Sequence, residues 1–153
     1  MKPFHFKLDS VIMLRDMQMQ EARNAYGEAV TERVRLEQAC QQKSDQLKQL
    51  RTHISELRQS VFPASLQPHF LSSLQDHEEQ LRELLQKLSQ AETQEQQKYE
   101  SFVDAKQNLE TFNQLKQKRY EAYLLEMRHK EQKEMDDVVA TRHNRKRITL
   151  SST

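Results

Sequence analysis

The stretch FPASLQP, residues 62–68, decides the fold of this chain. Pro63 and Pro68 lack amide donors, and each disfavours helix in the residue before it. No other strong helix breaker lies inside the chain, which has one glycine and three prolines in 153 residues. Gln, Glu, Lys, Arg, Leu and Ala are abundant on both sides, and these residues lose little rotamer freedom in a helix. We therefore predict one turn between two long helices.

A heptad pattern precedes the turn. Alternate steps of four and three residues from Leu8 to Val61 give sixteen positions, of which thirteen are apolar when Ala, Cys and Tyr are counted. The exceptions are Arg15, Arg33 and Lys43. A repeat of 3.5 residues held over about seven heptads is a coiled-coil seam, which a disordered chain does not produce.

A second seam follows the turn, from Phe70 to Phe112. Ten of its thirteen positions are apolar, and the exceptions are His77, Glu95 and Lys98. Past the end of this seam, Tyr120, Leu124 and Met127 lie on a displaced seam, which indicates a stutter near Lys116.

Two seams joined by a short turn predict an all-α fold, a long antiparallel two-helix coiled-coil hairpin with the second helix longer than the first. The expected single domain has a helix over about 7–61, a turn at 62–68, a helix over about 69–145 and a basic tail to 153. Residues whose numbers sum to roughly 130 then face each other, which brings Arg33 near Glu95 as an interhelical ion pair. The stretch EQKEMDD, residues 131–137, falls where the second helix overshoots the start of the first.

Composition limits the classes of function. With 35% hydrophobic and 31% charged residues, the chain lacks the apolar content of a compact layered domain. The net charge of +1 gives no global attraction to nucleic acid or anionic lipid, and Cys40 alone forms no internal disulfide. No apolar run approaches the roughly 18 residues of a membrane span. We expect a soluble cytoplasmic protein without a transmembrane segment.

The residues offer no support for an enzyme, a metal site or a cofactor. Gly27 stands alone, so there is no glycine-rich phosphate loop. Asp136 and Asp137 are adjacent, and adjacent helical residues point about 100° apart, which favours a solvated face over an acid–base pair. The six histidines are scattered without the spacing of a zinc site.

Two alternatives remain open from the residues alone. The seams also fit a homodimeric coiled-coil scaffold. The stretch RHNRKR, residues 142–147, would suit a basic-tail nucleic-acid binder, although cations near a helix C-terminus are favoured by the dipole in any case.

Large apolar residues cluster at the predicted turn: Phe62, Leu66, Phe70 and Leu71. Two helices cannot bury four such groups at a hairpin tip. The cluster is either a tight local cap or a docking knob for a partner, since exposed apolar clusters tend to mark partner sites.

Both ends of the chain resemble the family of the flagellar export component FliJ and its injectisome stalk relatives of the YscO type. The start, FHFKLDSVIMLRDMQMQEARNA, is similar to a family pattern that is carried here by Phe4, Phe6, Leu8, Leu14, Arg15, Glu21 and Ala22. The second match is AKQNLETFNQLKQKRYEAYLLEMRHKEQKEMDD, residues 105–137, in which Leu115, Lys116, Lys118 and Arg119 lead into the acidic stretch. Asp137 stands where the family usually has Glu. Residues 30–100 match in length and heptads only, and the C-terminal motif favours the flagellar version.

The resemblance implies a non-enzymatic central stalk of the flagellar type III export apparatus, peripherally associated with the inner membrane at the flagellar base. Its implied partners are the hexameric export ATPase, which it can activate, the cytoplasmic domain of the export gate membrane protein, and export chaperones. Nucleic acid is not among them. The paired termini would enter the ATPase ring, and the hairpin tip would face the gate or the chaperones. The implied ATPase-binding residues are Phe4, Phe6, Leu8, Arg119, Glu131, Gln132, Asp136 and Asp137, and the implied tip residues are Phe62, Leu66, Phe70 and Leu71.

Overall fold

The chain is an all-α helical hairpin, as predicted. The computed structural model describes residues 3–60 and 63–150, with side chains described up to His143 in the second helix. No strand occurs within these ranges. Val61, the last position of the first seam, and Phe62 lie outside the described residues.

Two helices of unequal length make up the hairpin. Helix α1 spans Asp9–Gln59, 51 residues, and helix α2 spans Gln67–Leu150, 84 residues. A 3-10 turn, Ala64–Leu66, lies between them. The prediction of a longer second helix is confirmed.

The ends of the helices follow from local chemistry. Asp9 lies in the first turn of α1 and Arg58 in its last turn, where each complements the helix dipole. At the end of α1, both the amide and the hydroxyl of Ser60 donate to the Leu57 carbonyl, at 3.2 and 2.9 Å. Pro68 lies in the first turn of α2 rather than before the helix, because an amide there would have no intrahelical partner.

Packing divides the chain into two units, and the first of them contains the middle of the sequence, Met17–Lys106. Its core consists of the buried residues Leu36, Cys40, Leu47, Ile54 and Ala91. Three of its long-range contacts, the ring stacking of Tyr26 with Phe102 and the ion pairs Arg33–Glu95 and Arg51–Glu78, join residues whose numbers sum to 128 or 129, and the Tyr26–Tyr99 ring contact gives 125. A nearly constant sum is the mark of an antiparallel helix pair.

The other unit joins Met1–Asp16 to Gln107–Thr153. Phe6 is its buried apolar residue among those described. The Lys116 ammonium lies 2.7 Å from the Asp9 carboxylate, and the Arg15 guanidinium lies 5.8 Å from the centre of the Phe112 ring. Both contacts pair the start of α1 with α2.

Burial follows the predicted seams closely. Every position of the first seam from Ile12 to Leu57 is buried or half-buried, and in the second seam, from Phe70 to Phe112, only Lys98 is exposed. Leu8, where the first seam begins, is 36% exposed. The seams, chosen by spacing alone, therefore account for most of the covered face of each helix, beside flanking half-buried residues such as Val34 and Val103.

The stutter predicted near Lys116 is wrong for two of its three residues. Tyr120 and Leu124 are exposed, whereas Met127 is half-buried as expected. Tyr123 is half-buried instead. The reason is that this part of α2 packs against the extended segment before α1, so helix-to-helix spacing no longer decides which residues are covered.

Candidate functional site

The segment before α1 forms a short arm on α2. Residues 3–6 have no regular structure, and residues 7 and 8 form a turn into the helix. The ring of Phe4 lies 5.2 Å from that of Tyr120 and 5.5 Å from that of Tyr123, measured between centroids. The amide of Asp9 donates to the Phe6 carbonyl at 3.2 Å and closes the turn. Edge-on and tilted aromatic contacts of this kind add to area burial, so they fix the arm on the helix.

A cavity opens between this arm and α2. It has a volume of about 760 Å³, which is within the range of protein binding pockets. Its lining consists of Pro3, Phe4, His5, Phe6, Lys7, Leu8, Leu115, Arg119 and Tyr123. The predicted ATPase-binding residues Phe4, Phe6, Leu8 and Arg119 are therefore brought together around one cavity.

The four acidic or amide residues predicted for the same surface lie elsewhere on α2. Glu131, Gln132, Asp136 and Asp137 are all exposed, and none of them lines the cavity. Every described side chain from 128 to 143 is exposed. The structure thus separates the predicted surface into an apolar cavity and an acidic helical stretch.

The acidic stretch also carries apolar side chains. Met135 is 68% exposed, Val138 51% and Val139 64%. Spacings of three and four residues place Val138 and Val139 beside Met135 on one side of the helix. This exposed apolar strip, Met135–Val138–Val139, lies next to Asp136 and Asp137 in sequence. Single exposed apolar residues are normal on a protein surface, whereas adjacent exposed apolar residues tend to mark a site where a partner binds.

Local ion pairs set the charge along the preceding turn of α2. The Lys130 ammonium lies 2.6 Å from the Glu126 carboxylate. The hydrogen bond to Lys130 lowers the pKa of Glu126, and the same bond raises the pKa of Lys130. Both groups stay ionised at neutral pH and neutralise each other. Glu131, Glu134, Asp136 and Asp137 are therefore the carboxylates that give this stretch its negative character.

The hairpin tip exposes part of the predicted knob. Leu66 is 44% exposed and Leu71 46%, whereas Phe70 is half-buried. Phe62, the fourth member, lies outside the described residues. The described tip therefore presents two leucines to solvent and holds one aromatic ring partly inside.

Sequence reasoning missed several residues of the cavity: Pro3, His5, Lys7 and Tyr123. Tyr123 could have been predicted from the heptad pattern, because the second seam continued past Phe112 without a stutter includes positions 116, 119 and 123. Leu115 was quoted for the family resemblance but was not assigned to the site. The three arm residues had no signal in the heptad pattern, since the arm is not helical.

Within residues 3–60 and 63–150, no group of three or more His, Cys, Asp and Glu side chains is placed to hold a metal ion. Over the same ranges, no helix combines the length and the apolar content that crossing a membrane requires.

A comparison with known families agrees with the motifs at both ends of the chain. The family described as "Flagellar FliJ protein" matches residues 4–147. No curated protein and no solved structure matches the chain. The family match covers the arm, both helices and the acidic stretch, well over half of the 153 residues. The chain therefore belongs to the flagellar FliJ protein family and is a component of flagellar protein export.

Proposed function

We propose that this chain is the central stalk of the flagellar export apparatus, seated in the pore of the hexameric export ATPase and reaching toward the export gate. It works in the cytoplasm, at the inner membrane of the flagellar base, and also escorts export chaperones. Family membership and the two-helix hairpin support this role.

The end that carries both termini meets the ATPase. Phe4, Phe6, Leu8 and Arg119 supply one contact surface around the cavity. Glu131, Gln132, Asp136 and Asp137 supply a second, on the exposed stretch of α2. The observation that carries the proposal is the exposed apolar strip Met135–Val138–Val139 amid these acidic residues. Apolar side chains on a lone helix gain by docking into a partner.

The hairpin tip meets the gate or a chaperone. Leu66 and Leu71 are the exposed apolar groups there, and Phe70 and Phe62 complete the predicted cluster. Two exposed leucines beside a ring are suited to insertion into a shallow apolar groove on the cytoplasmic domain of the gate.

The stalk is not itself an enzyme and acts on the turnover of its partner. A helix pair that contacts a hexamer through one end touches the six similar subunits unequally. Its binding energy can therefore favour one arrangement of the ring over another, which is how a bound chain shifts a conformational equilibrium. We expect this to raise ATP hydrolysis.

The test is ATP hydrolysis by the purified cognate export ATPase with and without this chain, together with co-sedimentation. The proposal expects co-sedimentation and faster hydrolysis. If the chain neither binds nor alters hydrolysis and instead sediments alone as a tight dimer, the proposal is wrong and a homodimeric scaffold takes its place.

A further inference from the structure

We propose that the cavity between the arm and α2 binds an apolar side chain carried on an acidic segment of a partner protein. This proposal rests on the proposed function, because it takes the partner to be a protein of the export apparatus. The chemistry of the bound segment, an apolar residue flanked by carboxylates, comes from the cavity itself.

The floor of the cavity is apolar and fixed in place. Phe6 is buried, and the ring of Phe4 is held by its contacts with Tyr120 and Tyr123. Leu8 and Leu115 are partly exposed on the same cavity. An apolar group that enters the cavity would cover them from water. Preformed apolar pockets of this kind are where the strongest contributions to protein binding concentrate.

The charged side chains that line the cavity all have one sign. They are the cations Lys7 and Arg119, and the lining contains no carboxylate. Asp9, the next carboxylate along the chain, forms an ion pair with Lys116, whose ammonium lies 2.7 Å from the carboxylate oxygen. In a chain with a net charge of only +1, the cavity lining is therefore a local excess of positive charge. A carboxylate beside the cavity would therefore meet the two cations Lys7 and Arg119, whereas a basic segment would be repelled by both.

The first experiment locates the bound segment. Photoreactive benzoylphenylalanine replaces Leu115 in the full chain, and Leu85, an exposed leucine of α2 in the other unit, is the matched control position. The purified export ATPase and flagellated cells are the two targets. We expect cross-links from position 115, absent from position 85, to a protein segment with Asp or Glu within about three residues of an apolar residue. A cross-link to a basic or uncharged segment, to lipid, or to a second copy of this chain would overturn the proposal.

The second experiment tests the charges. Lys7→Gln with Arg119→Gln should weaken binding of the cross-linked partner by about tenfold and reduce the salt dependence of association. Lys48→Gln with Lys106→Gln, two exposed lysines outside the cavity, is the control with the same change in net charge. Equal loss in both variants would overturn the proposal, as would no loss in either.

The two proposals fail in different ways. If the ATPase binds and loses affinity on changes at Asp136 and Asp137 but not at Lys7 and Arg119, the stalk stands and the cavity assignment falls. If the ATPase does not bind at all, the stalk falls. A position-115 cross-link to an acidic, apolar segment of another export protein would then still uphold the cavity assignment.

Discussion

Arg33 of α1 donates a hydrogen bond from Nε to the Glu95 carboxylate of α2, across 62 positions of sequence. The two side chains occupy seam positions, and they are 29% and 20% exposed. A second nitrogen of Arg33 bonds Glu37 at 2.9 Å on its own helix. The Glu95 hydrogen bond raises the pKa of the Arg33 guanidinium. The pair joins two seam positions that residue numbers alone had predicted to face each other.

Exchanging the two charges tests this pairing. Arg33→Glu alone places two carboxylates on facing seam positions, and Glu95→Arg alone places two cations there, so each should lower the melting temperature by a few degrees. The double exchange should recover most of the loss. Partly exposed ion pairs are weak, so the coupling between the two changes, measured by a double-mutant cycle in thermal unfolding, should be small but favourable. Additive losses would show that the pair does not set the register.

Replacing Gly27 by alanine should stabilise the protein. Gly27 lies inside α1, where an added Cβ would meet nothing within 4 Å beyond its chain neighbours and the backbone of its own helix, and its φ is not positive. An alanine there loses less backbone entropy on folding, which is worth about 0.5–1 kcal/mol of unfolding free energy. Urea unfolding followed by circular dichroism measures the change. A lower unfolding free energy would mean that this position is packed against something.

The thiol of Cys40 should react slowly. It is buried in the seam, and burial raises the pKa of the thiol because the thiolate is poorly solvated there. Since the thiolate is the reactive form, iodoacetamide should modify the folded chain far more slowly at neutral pH than the urea-unfolded chain. The rate for the folded chain should rise at higher pH than for the unfolded one. Equal rates would place Cys40 at the surface.

Leu66→Ser and Leu71→Ser, changed one at a time, test the tip. Each removes an exposed apolar group, so the helix content should stay the same while binding to the gate or chaperone falls by about tenfold. Motility in soft agar and secretion of flagellar subunits are the functional measurements. Leu85→Ser, which changes a similarly exposed leucine of α2 away from the tip, is the control. If all three variants secrete equally well, the tip is only a cap.

The helix pair could be predicted from sequence because its packing is periodic. Positions 36, 40, 47 and 54 were selected by spacing, and all four are buried. The same counting placed Arg33 opposite Glu95.

The cavity could not be predicted in the same way. It depends on the arm, where Phe4 contacts Tyr120 and Tyr123 from a segment without helical period. Heptad counting describes only the packing of one helix against another. It therefore predicted a stutter where the structure has a cluster of Phe4, Tyr120 and Tyr123. The family motif pointed to Phe4 and Phe6 but carried no information on what they pack against.

The account depends most on the acidic stretch of α2. We would measure the affinity of the purified export ATPase for the wild-type chain and for Asp136→Lys with Asp137→Lys. The variant Asp76→Lys with Asp104→Lys, at two exposed aspartates in the other unit, carries the same change in net charge. The proposed stalk predicts tenfold or greater weakening, about 1.4 kcal/mol or more, only for the pair at 136 and 137, with helicity unchanged in both variants. Equal affinity of all three chains would contradict it.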